Sequence, residues 1–289
     1  MKELTIALCA ILFPVAFSST TDKPAGGNSP GLAACSVNSL HPPSQFHLRA
    51  DPRLIADDSL RDQGLVESYN WSGYAATADP ATADTVKSVS GSWTVTAATG
   101  SSGQYCATWV GIDGFDDGTV EQLGTMQYIT TGGNGRNAKT EAGYYAWVEM
   151  YPAGLVELST TKYPVAPGDT ISATVSCSAD VFTLTMSSSE GWNYSETVTS
   201  ATPDRMSAEW VVEAPSSDFG ILPLADFGTI TFTDCSATIG NTSGTISALP
   251  TYDSMTMVED DRQLTPEATP SSLSDSGADF SVTWKAAGR

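Results

Sequence analysis

The sequence predicts an all-β fold, a sandwich of two antiparallel sheets, from three observations. Short stretches rich in Val, Thr, Tyr and Trp follow one another from Leu65 onward. Clusters of Gly, Asp, Asn and Pro separate these stretches at regular intervals. No helical pattern of normal length stands out among them. Many short strands with regular turn signals are typical of sandwiches and closed barrels.

The predicted strands take in residues 85–96, 105–112, 140–151, 170–176, 182–186, 207–212 and 229–232. Phe280, Val282 and Trp284 alternate with polar residues and predict a closing strand. Val86 and Val89 fall on opposite faces of a regular strand, which predicts a β-bulge or a local twist at that point.

The N-terminal region predicts a secreted, extracellular protein made as a precursor. Lys2 precedes an apolar stretch, residues 4–16, and the small residues Ser18 and Ser19 follow. This order is typical of a secretory signal peptide, which we assign to residues 1–19. Residues 20–64 are rich in Pro, Ser, Ala and Asp and are predicted to be a propeptide, with a short helix possible around residues 51–63. The β-sandwich domain then covers residues 65–289.

Composition excludes some partners and suits an acidic medium. The chain has 33 acidic and 13 basic residues, a net charge of −20 and a pI near 4.1. So acidic a protein should bind neither nucleic acid nor anionic membranes by electrostatics. Few carboxylates can be paired with cations, so acidification breaks few ion pairs, which are a common cause of acid denaturation.

Histidine and cysteine usage limits the chemistry that the mature protein can perform. The two histidines, His41 and His47, both precede residue 65. Their removal with the propeptide excludes Ser-His, Cys-His and His-metal catalysis, and we predict neither cofactor nor metal. The spacing of the cysteines resembles no zinc site, and it leaves the pairing open among Cys35, Cys106, Cys177 and Cys235.

Three predicted strand segments carry polar and aromatic side chains on one face. They are Trp109–Asp113, Trp147–Tyr151 and Glu209–Glu213. Side chains alternate with a period of two, so the odd-numbered positions of each segment share a face. Those positions carry Trp, Tyr and carboxylates, whereas the even-numbered positions are apolar or Trp. We expect a solvated, concave binding cleft there, the alternative being an ordinary exposed face.

Several segments, taken together, resemble the glutamic peptidases, also called eqolisins, which are secreted acid endopeptidases of fungi and some prokaryotes. The order and spacing of the segments carry the resemblance, which runs from about Val66 to Asp234. The matching segments are residues 70–73, 109–114, Gln122 with Gly124, 146–152, 168–169, 208–213 and 232–235.

The resemblance implies a fold and a set of site residues. The family fold is a lectin-like, concanavalin-like jelly roll built of two large antiparallel sheets. The catalytic glutamine of the family matches Gln122 and its catalytic glutamate matches Glu213. The cleft residues of the family match Trp71, Trp109, Asp113, Glu149 and Tyr151.

The sequence departs from the family pattern at a few positions. The loop before the glutamine is spaced differently, and Glu121 directly precedes Gln122. Tyr145 and Met150 stand where the family often has an acidic residue and a tryptophan. These departures leave substrate preference open.

The resemblance implies an acid endopeptidase that acts on protein or peptide substrates, and we predict a monomer. A carboxylate such as Glu213 can activate water at acidic pH, and an amide such as Gln122 can donate hydrogen bonds to the oxyanion. Two alternatives stay open. One is a glycoside hydrolase with Glu149 and Glu213 as its carboxylates. The other is a carbohydrate-binding lectin domain.

Overall fold

The computed structural model describes Leu48 and residues 64–133, 138–200 and 203–288. The predicted signal peptide, the possible helix at residues 51–63 and almost all of the predicted propeptide lie outside these described residues. The division of the chain at residues 19 and 64 therefore stays a prediction.

The described residues are almost entirely strands joined by turns. In chain order the strands are β1 Leu65–Ser68, β2 Trp71–Thr77, β3 Val86–Thr94, β4 Tyr105–Ile112, β5 Val120–Gly132, β6 Lys139–Tyr151, β7 Leu155–Glu157, β8 Thr170–Ser178, β9 Val181–Ser188, β10 Asn193–Thr199, β11 Ser207–Glu213, β12 Ser216–Ser217, β13 Gly220–Ile221, β14 Thr229–Ile239, β15 Thr242–Thr245, β16 Tyr252–Val258, β17 Pro266–Pro270 and β18 Phe280–Trp284. A short 3-10 turn occupies Ile246–Ala248. None of the described helical structure is long and apolar enough to cross a membrane.

The strands form two layers that β17 and β18 connect. The hydrogen-bonded order is β10-β9-β8-β3-β14-β18-β17-β16-β2-β11-β4-β5-β6-β7. Neighbours in this order are antiparallel, and β1 adds to β16 in parallel. The back layer runs from β10 to β18, and the front layer runs from β16 to β7. The predicted sandwich of antiparallel sheets is confirmed.

The main core lies between the layers and is held by tryptophans. Trp93 of β3 and Trp210 of β11 are 1% and 0% exposed. The Trp93 indole donates to Thr125 Oγ1 of β5 at 3.0 Å, and the Trp210 indole donates to the Ser90 carbonyl at 2.8 Å. Both bonds cross from one layer to the other. They satisfy buried polar groups and fix how the layers align.

The predicted strands agree with the observed ones to within a few residues, except that β14 continues to Ile239. The predicted irregularity in β3 is also confirmed. Ser88 pairs with Thr238 and Val86 pairs with Ile239, so Lys87 is the extra residue of a bulge. Because of the bulge, Val86 and Val89 are both fully buried, although three positions separate them.

The outer face of the front layer carries a second, smaller core cluster. We call it the cleft face, and its members include Trp71, Trp109, Phe115, Trp147 and Val211. The apolar even-numbered residues of β4 and β11 instead join the main core. The alternation predicted for Trp109–Asp113, Trp147–Tyr151 and Glu209–Glu213 is therefore observed. Odd-numbered and even-numbered side chains lie on opposite faces of the front layer.

Candidate active site

The register of the front layer places the predicted catalytic residues in two rows across the cleft face. Gln122 of β5 lies between Gly111 of β4 and Glu149 of β6. Glu213 of β11 lies opposite Ala107 of β4. The two rows are thus separated by roughly 13 Å along β4.

Gln122 contacts both a carboxyl group and a peptide carbonyl. Its Nε2 donates to Glu149 Oε2 at 3.0 Å and also donates to the backbone carbonyl of Leu48. Its Oε1 is buried and has no hydrogen-bond partner among the described residues. A buried carbonyl oxygen of this kind is a ready acceptor for a water molecule.

Glu149 is a neutral carboxylic acid at acidic pH. Its Oε2 accepts hydrogen bonds from Gln122 and from the Leu48 amide, the latter at 3.3 Å. Burial raises the pKa of Glu149 to about 8, while these two bonds act in the opposite direction. Its other oxygen, Oε1, has no partner among the described residues. A proton on Oε1 would make it a hydrogen-bond donor toward a ligand.

Glu213 is held by two N–H donors. Trp109 Nε1 donates to its Oε2 at 2.9 Å, and Asn70 Nδ2 donates to its Oε1 at 3.1 Å. Each oxygen of Glu213 therefore accepts a hydrogen bond from the front layer itself. We did not predict Asn70 as a site residue. The signal was present, because Asn70 opens the matched segment that contains Trp71.

Trp109 lies between the two predicted catalytic positions. Its Nε1 donates to Glu213, while its six-membered ring lies over Gly111, beside Gln122. A Cβ at Gly111 would lie 2.9 Å from Trp109 Cζ3 and 3.1 Å from Gln122 Cβ. Glycine is therefore required at this point of β4, because any side chain would push the ring or the glutamine away.

Trp71 and Trp147 supply further buried indoles on the same face. The Trp71 ring packs edge-on against Trp109, with ring centroids 4.8 Å apart. The indole N–H groups of Trp71 and Trp147 are buried and without partners among the described residues. Orphaned buried donors are rare in folded proteins, so two of them on the cleft face indicate a site for a polar ligand.

Asp113 has a different place from the other predicted cleft residues. Its carboxylate accepts hydrogen bonds from the backbone amides of Arg205 and Met206, at 2.7 and 2.6 Å. It thus anchors the loop that leads into β11, at the end of the cleft face. Tyr151 is half-buried at the end of β6 and packs against the cleft-face cluster.

The three departures from the family pattern fall in different places. Glu121 points away from Gln122, toward the interior of the sandwich, where Ser200 donates to it at 2.8 Å. Burial raises the pKa of Glu121 to about 8. Met150 packs against the main core, whereas Tyr145 is buried in the cleft-face cluster. Only Tyr145 therefore changes the cleft face itself.

The site is covered rather than open. We expected Gln122 and Glu213 to face a solvated cleft, yet both are 0% exposed. Leu48 is also 0% exposed and belongs to the cleft-face cluster, and its backbone contacts Gln122 and Glu149. Leu48, from the N-terminal region, therefore occupies part of the predicted cleft.

Comparison with known proteins identifies relatives of the chain. Aspergillopepsin-2 of Aspergillus niger is 34% identical over 147 residues, which make up 48% of this chain and 49% of that protein. The chain thus aligns with about half the length of this curated relative.

Solved structures share the fold. A crystal structure of scytalido-glutamic peptidase with a transition state analog inhibitor matches with a TM-score of 0.61 and 23% identity, covering 75% of this chain and 98% of that one. SCP-B, an eqolisin family member in complex with the tripeptide Ala-Ile-His, matches with a TM-score of 0.57 and 22% identity over the same shares.

A family model also matches most of the chain. The Peptidase A4 family, the family of the eqolisins, matches residues 69–284, a range that runs from the residue before Asn70 to the end of β18. This range contains every predicted site residue and leaves out Leu48. The chain belongs to the Peptidase A4 family.

Proposed function

We propose that the protein is a secreted acid endopeptidase in which Gln122 and Glu213 hydrolyse peptide bonds. One observation carries the proposal most directly: Gln122 Nε2 donates a hydrogen bond to a backbone carbonyl oxygen, that of Leu48. A substrate carbonyl in the same place would develop its negative charge against this donor. Donors aimed at an oxyanion lower the barrier to acyl transfer.

The proposed reaction needs only water and these side chains. Glu213, ionised, takes a proton from water as the water oxygen attacks the carbonyl carbon. Gln122 Nε2 stabilises the oxyanion, and its free Oε1 holds the attacking water. The protonated Glu213 then gives its proton to the leaving nitrogen, the C–N bond breaks, and the carboxylate is restored.

Glu213 is a better base than Glu149, although Glu149 lies nearer to Gln122. A carboxyl group with a pKa of about 8 holds its proton throughout the acidic range, so Glu149 cannot accept one from water there. Glu213 accepts one N–H hydrogen bond on each of its two oxygens, and we assign it the role of base. We assign Glu149, with Trp71, Trp109 and Tyr151, to substrate binding.

An assay of several substrates tests the reaction class. The acid-treated protein should cleave casein below pH 5 and leave a β-glucan intact, because one of its two central groups is an amide and not a carboxylate. EDTA and serine- or cysteine-directed reagents should change the rate by less than about twofold. Hydrolysis of the glucan, or loss of casein cleavage in EDTA, would contradict the proposal.

We further propose that residues 1–19 are a signal peptide and residues 20–64 a propeptide that covers the site. The contacts of Leu48 with Gln122 and Glu149 support this proposal, because they use the groups that a substrate would need. Release of this segment is then required for activity. The composition change near residue 65 places the maturation cleavage between residues 63 and 66.

Maturation should be visible as a change in mass and activity. Near pH 7 the secreted chain should be inactive, and on acidification it should lose the residues up to about 64 and gain activity. A synthetic peptide of residues 42–55 should inhibit the mature enzyme. Leu48→Asp in that peptide should weaken inhibition by about 10- to 100-fold, the loss expected for one buried leucine side chain.

A scrambled peptide of the same composition is the matched control and should not inhibit. An active enzyme whose N-terminus is residue 20, or equal inhibition by the Leu48→Asp peptide, would contradict the maturation proposal.

A further inference from the structure

Ser68 ends β1 with a buried hydroxyl that closes the turn into β2. Ser68 is 0% exposed, and its partner in the ladder is Met257 of β16. Its Oγ accepts hydrogen bonds from the amide of Asn70 at 3.4 Å and from that of Trp71 at 3.1 Å. Serine hydroxyls commonly bind the backbone in this way at turns. The acceptor side of the hydroxyl is therefore occupied, and its single proton remains to be donated.

The side chain of Asn70 receives this proton. The distance from Ser68 Oγ to Asn70 Oδ1 is 3.4 Å. An amide oxygen can only accept hydrogen bonds, whereas an amide nitrogen can only donate them. Because Ser68 contacts the oxygen end of the Asn70 amide, the nitrogen end is directed to the other side. There Nδ2 donates to Glu213 Oε1 at 3.1 Å.

The opposite orientation of the Asn70 amide is disfavoured at both ends. It would place Oδ1 against a carboxylate oxygen of Glu213, so two acceptors would meet in a buried site. It would also direct Nδ2 at a hydroxyl whose two lone pairs already accept from backbone amides. Buried polar groups without partners are costly, so one orientation is strongly preferred. Ser68 thus decides which end of Asn70 faces the carboxyl group.

A backbone hydrogen bond joins the same two segments a second time. The Ala214 amide donates to the Asn70 carbonyl at 2.9 Å. Trp109 Nε1 donates to the other carboxyl oxygen of Glu213. The carboxyl group is therefore held from two directions, by an indole of the cleft face and by the amide of the turn. Loss of either donor would loosen its orientation.

This connection gives β1 a part in the active site. β1 directly follows the predicted maturation cleavage, between residues 63 and 66, and pairs with β16. Val66 is 2% exposed and belongs to the cleft-face cluster, so its burial helps to keep β1 in place once the preceding segment has left. Cleavage after Ser68 would instead release the hydroxyl that orients Asn70.

We propose that Ser68 is a positioning residue for the base of the reaction. Through the amide of Asn70 it holds the Glu213 carboxyl in the orientation that proton transfer needs. The proposal rests on the peptidase function above and gives β1 a role that this function alone does not require. Neither Ser68 nor Asn70 touches the substrate in this role. Their effect should therefore appear in kcat and not in substrate binding.

Single substitutions in the mature enzyme measure the effect. Asn70→Ala should lower kcat on a fluorogenic peptide at pH 4 by about 10²-fold, because a small displacement of a reacting group costs this much. Ser68→Ala should lower kcat by about tenfold, since the amide remains but its orientation is no longer fixed. KM should change by less than about threefold in both variants. Ser68→Thr keeps the hydroxyl and should bring kcat back to within about threefold of the wild type.

A double-mutant cycle separates positioning from a purely structural role. If Ser68 acts through Asn70, adding Ser68→Ala to Asn70→Ala should change kcat by less than about twofold. If the hydroxyl only closes the turn, its loss should cost about tenfold in either background. Ser188→Ala is the matched control. Ser188 is 8% exposed and its Oγ accepts the Glu190 amide at 3.1 Å in the β9–β10 turn of the back layer, so this variant should lose stability but keep kcat.

The outcomes distinguish this proposal from the peptidase function. If the wild type cleaves peptides, then Ser68→Ala at the wild-type kcat, or additive losses in the double variant, would overturn the positioning role alone. An acid-treated wild type that cleaves no peptide would overturn the peptidase function, and the positioning role with it. The mass of the activated enzyme gives a further check, because its first residue should be Val66 or earlier. An active form that begins after Ser68 would also overturn the positioning role.

Discussion

Glu213→Gln should abolish peptide hydrolysis, with a fall in kcat of about 10⁴-fold or more, because an amide can neither accept the water proton nor return it to the leaving nitrogen. Gln122→Ala should cost about 10²- to 10³-fold, the usual effect of removing one oxyanion donor, and more if the glutamine also positions the water. Initial rates on a fluorogenic peptide at pH 4, with separately purified mature chains, measure both effects.

Glu149→Gln is the informative comparison. The amide resembles the neutral acid that a pKa of about 8 implies, so kcat should fall by less than about tenfold, with KM rising as substrate contacts weaken. An inactive Glu149→Gln together with an active Glu213→Gln would reassign the base to Glu149.

Folding must be checked for each of these variants, because the side chains are buried rather than solvated. Glu213 accepts hydrogen bonds on both oxygens, and the glutamine amide can accept only on one. We therefore expect Glu213→Gln to cost about 1 to 3 kcal/mol of unfolding free energy. Thermal melts followed by circular dichroism check this point. A cooperative transition shows that the variant is folded, so a loss of activity can be attributed to the substituted side chain.

The protein should be more stable in acid than at neutral pH, the reverse of most proteins. Burial raises the pKa of Glu121 and of Glu149 to about 8, and that of Asp117 and of Glu267 to about 7. A carboxyl group whose pKa is raised by folding stabilises the native state below its unfolded pKa, near 4. That contribution is lost as pH rises through the folded pKa. Stability should therefore decline between about pH 4 and pH 8.

Calorimetry on the full-length Glu213→Gln chain, which cannot digest itself and keeps Leu48 over the site, measures this decline. We expect Tm to fall by roughly 10 °C or more from pH 4 to pH 8, corresponding to a few kcal/mol for a domain of this size. Glu121→Gln should flatten the profile. The exposed Glu141→Gln should leave its slope unchanged. A Tm that rises from pH 4 to pH 8 would show that these carboxyl groups are ionised in the folded protein.

Period-two alternation was sufficient to predict which face the site residues of β4, β6 and β11 occupy, whereas Gln122 and Trp71 were assigned from the family resemblance. Val110 and Val212 reach the main core while Trp109 and Glu213 reach the cleft face, because a strand offers no other arrangement. Even the bulge at Lys87 was visible, since two buried valines could not otherwise share one face.

Contacts between distant segments could not be predicted in this way. The bond from Asn70 to Glu213 joins positions that only the β2–β11 register brings together. Asp113 accepts hydrogen bonds from the Arg205 and Met206 amides because of the conformation of the loop before β11. The alternation of side chains along strands does not predict loop conformations. Leu48 lies in a segment without periodicity, so nothing in the sequence placed its carbonyl beside Gln122.

The adjacent β5 residues Glu121 and Gln122 point to opposite sides of the front layer. Which of the two side chains reaches the site therefore depends on the register of this one strand. A slip of β5 by one residue would present the Glu121 carboxyl in place of the Gln122 amide and would bury the amide inside the sandwich. The bond from Trp93 to Thr125 opposes such a slip, because it ties β5 to the other layer. A change in the length of the loop before β5 should therefore leave the amide in its place.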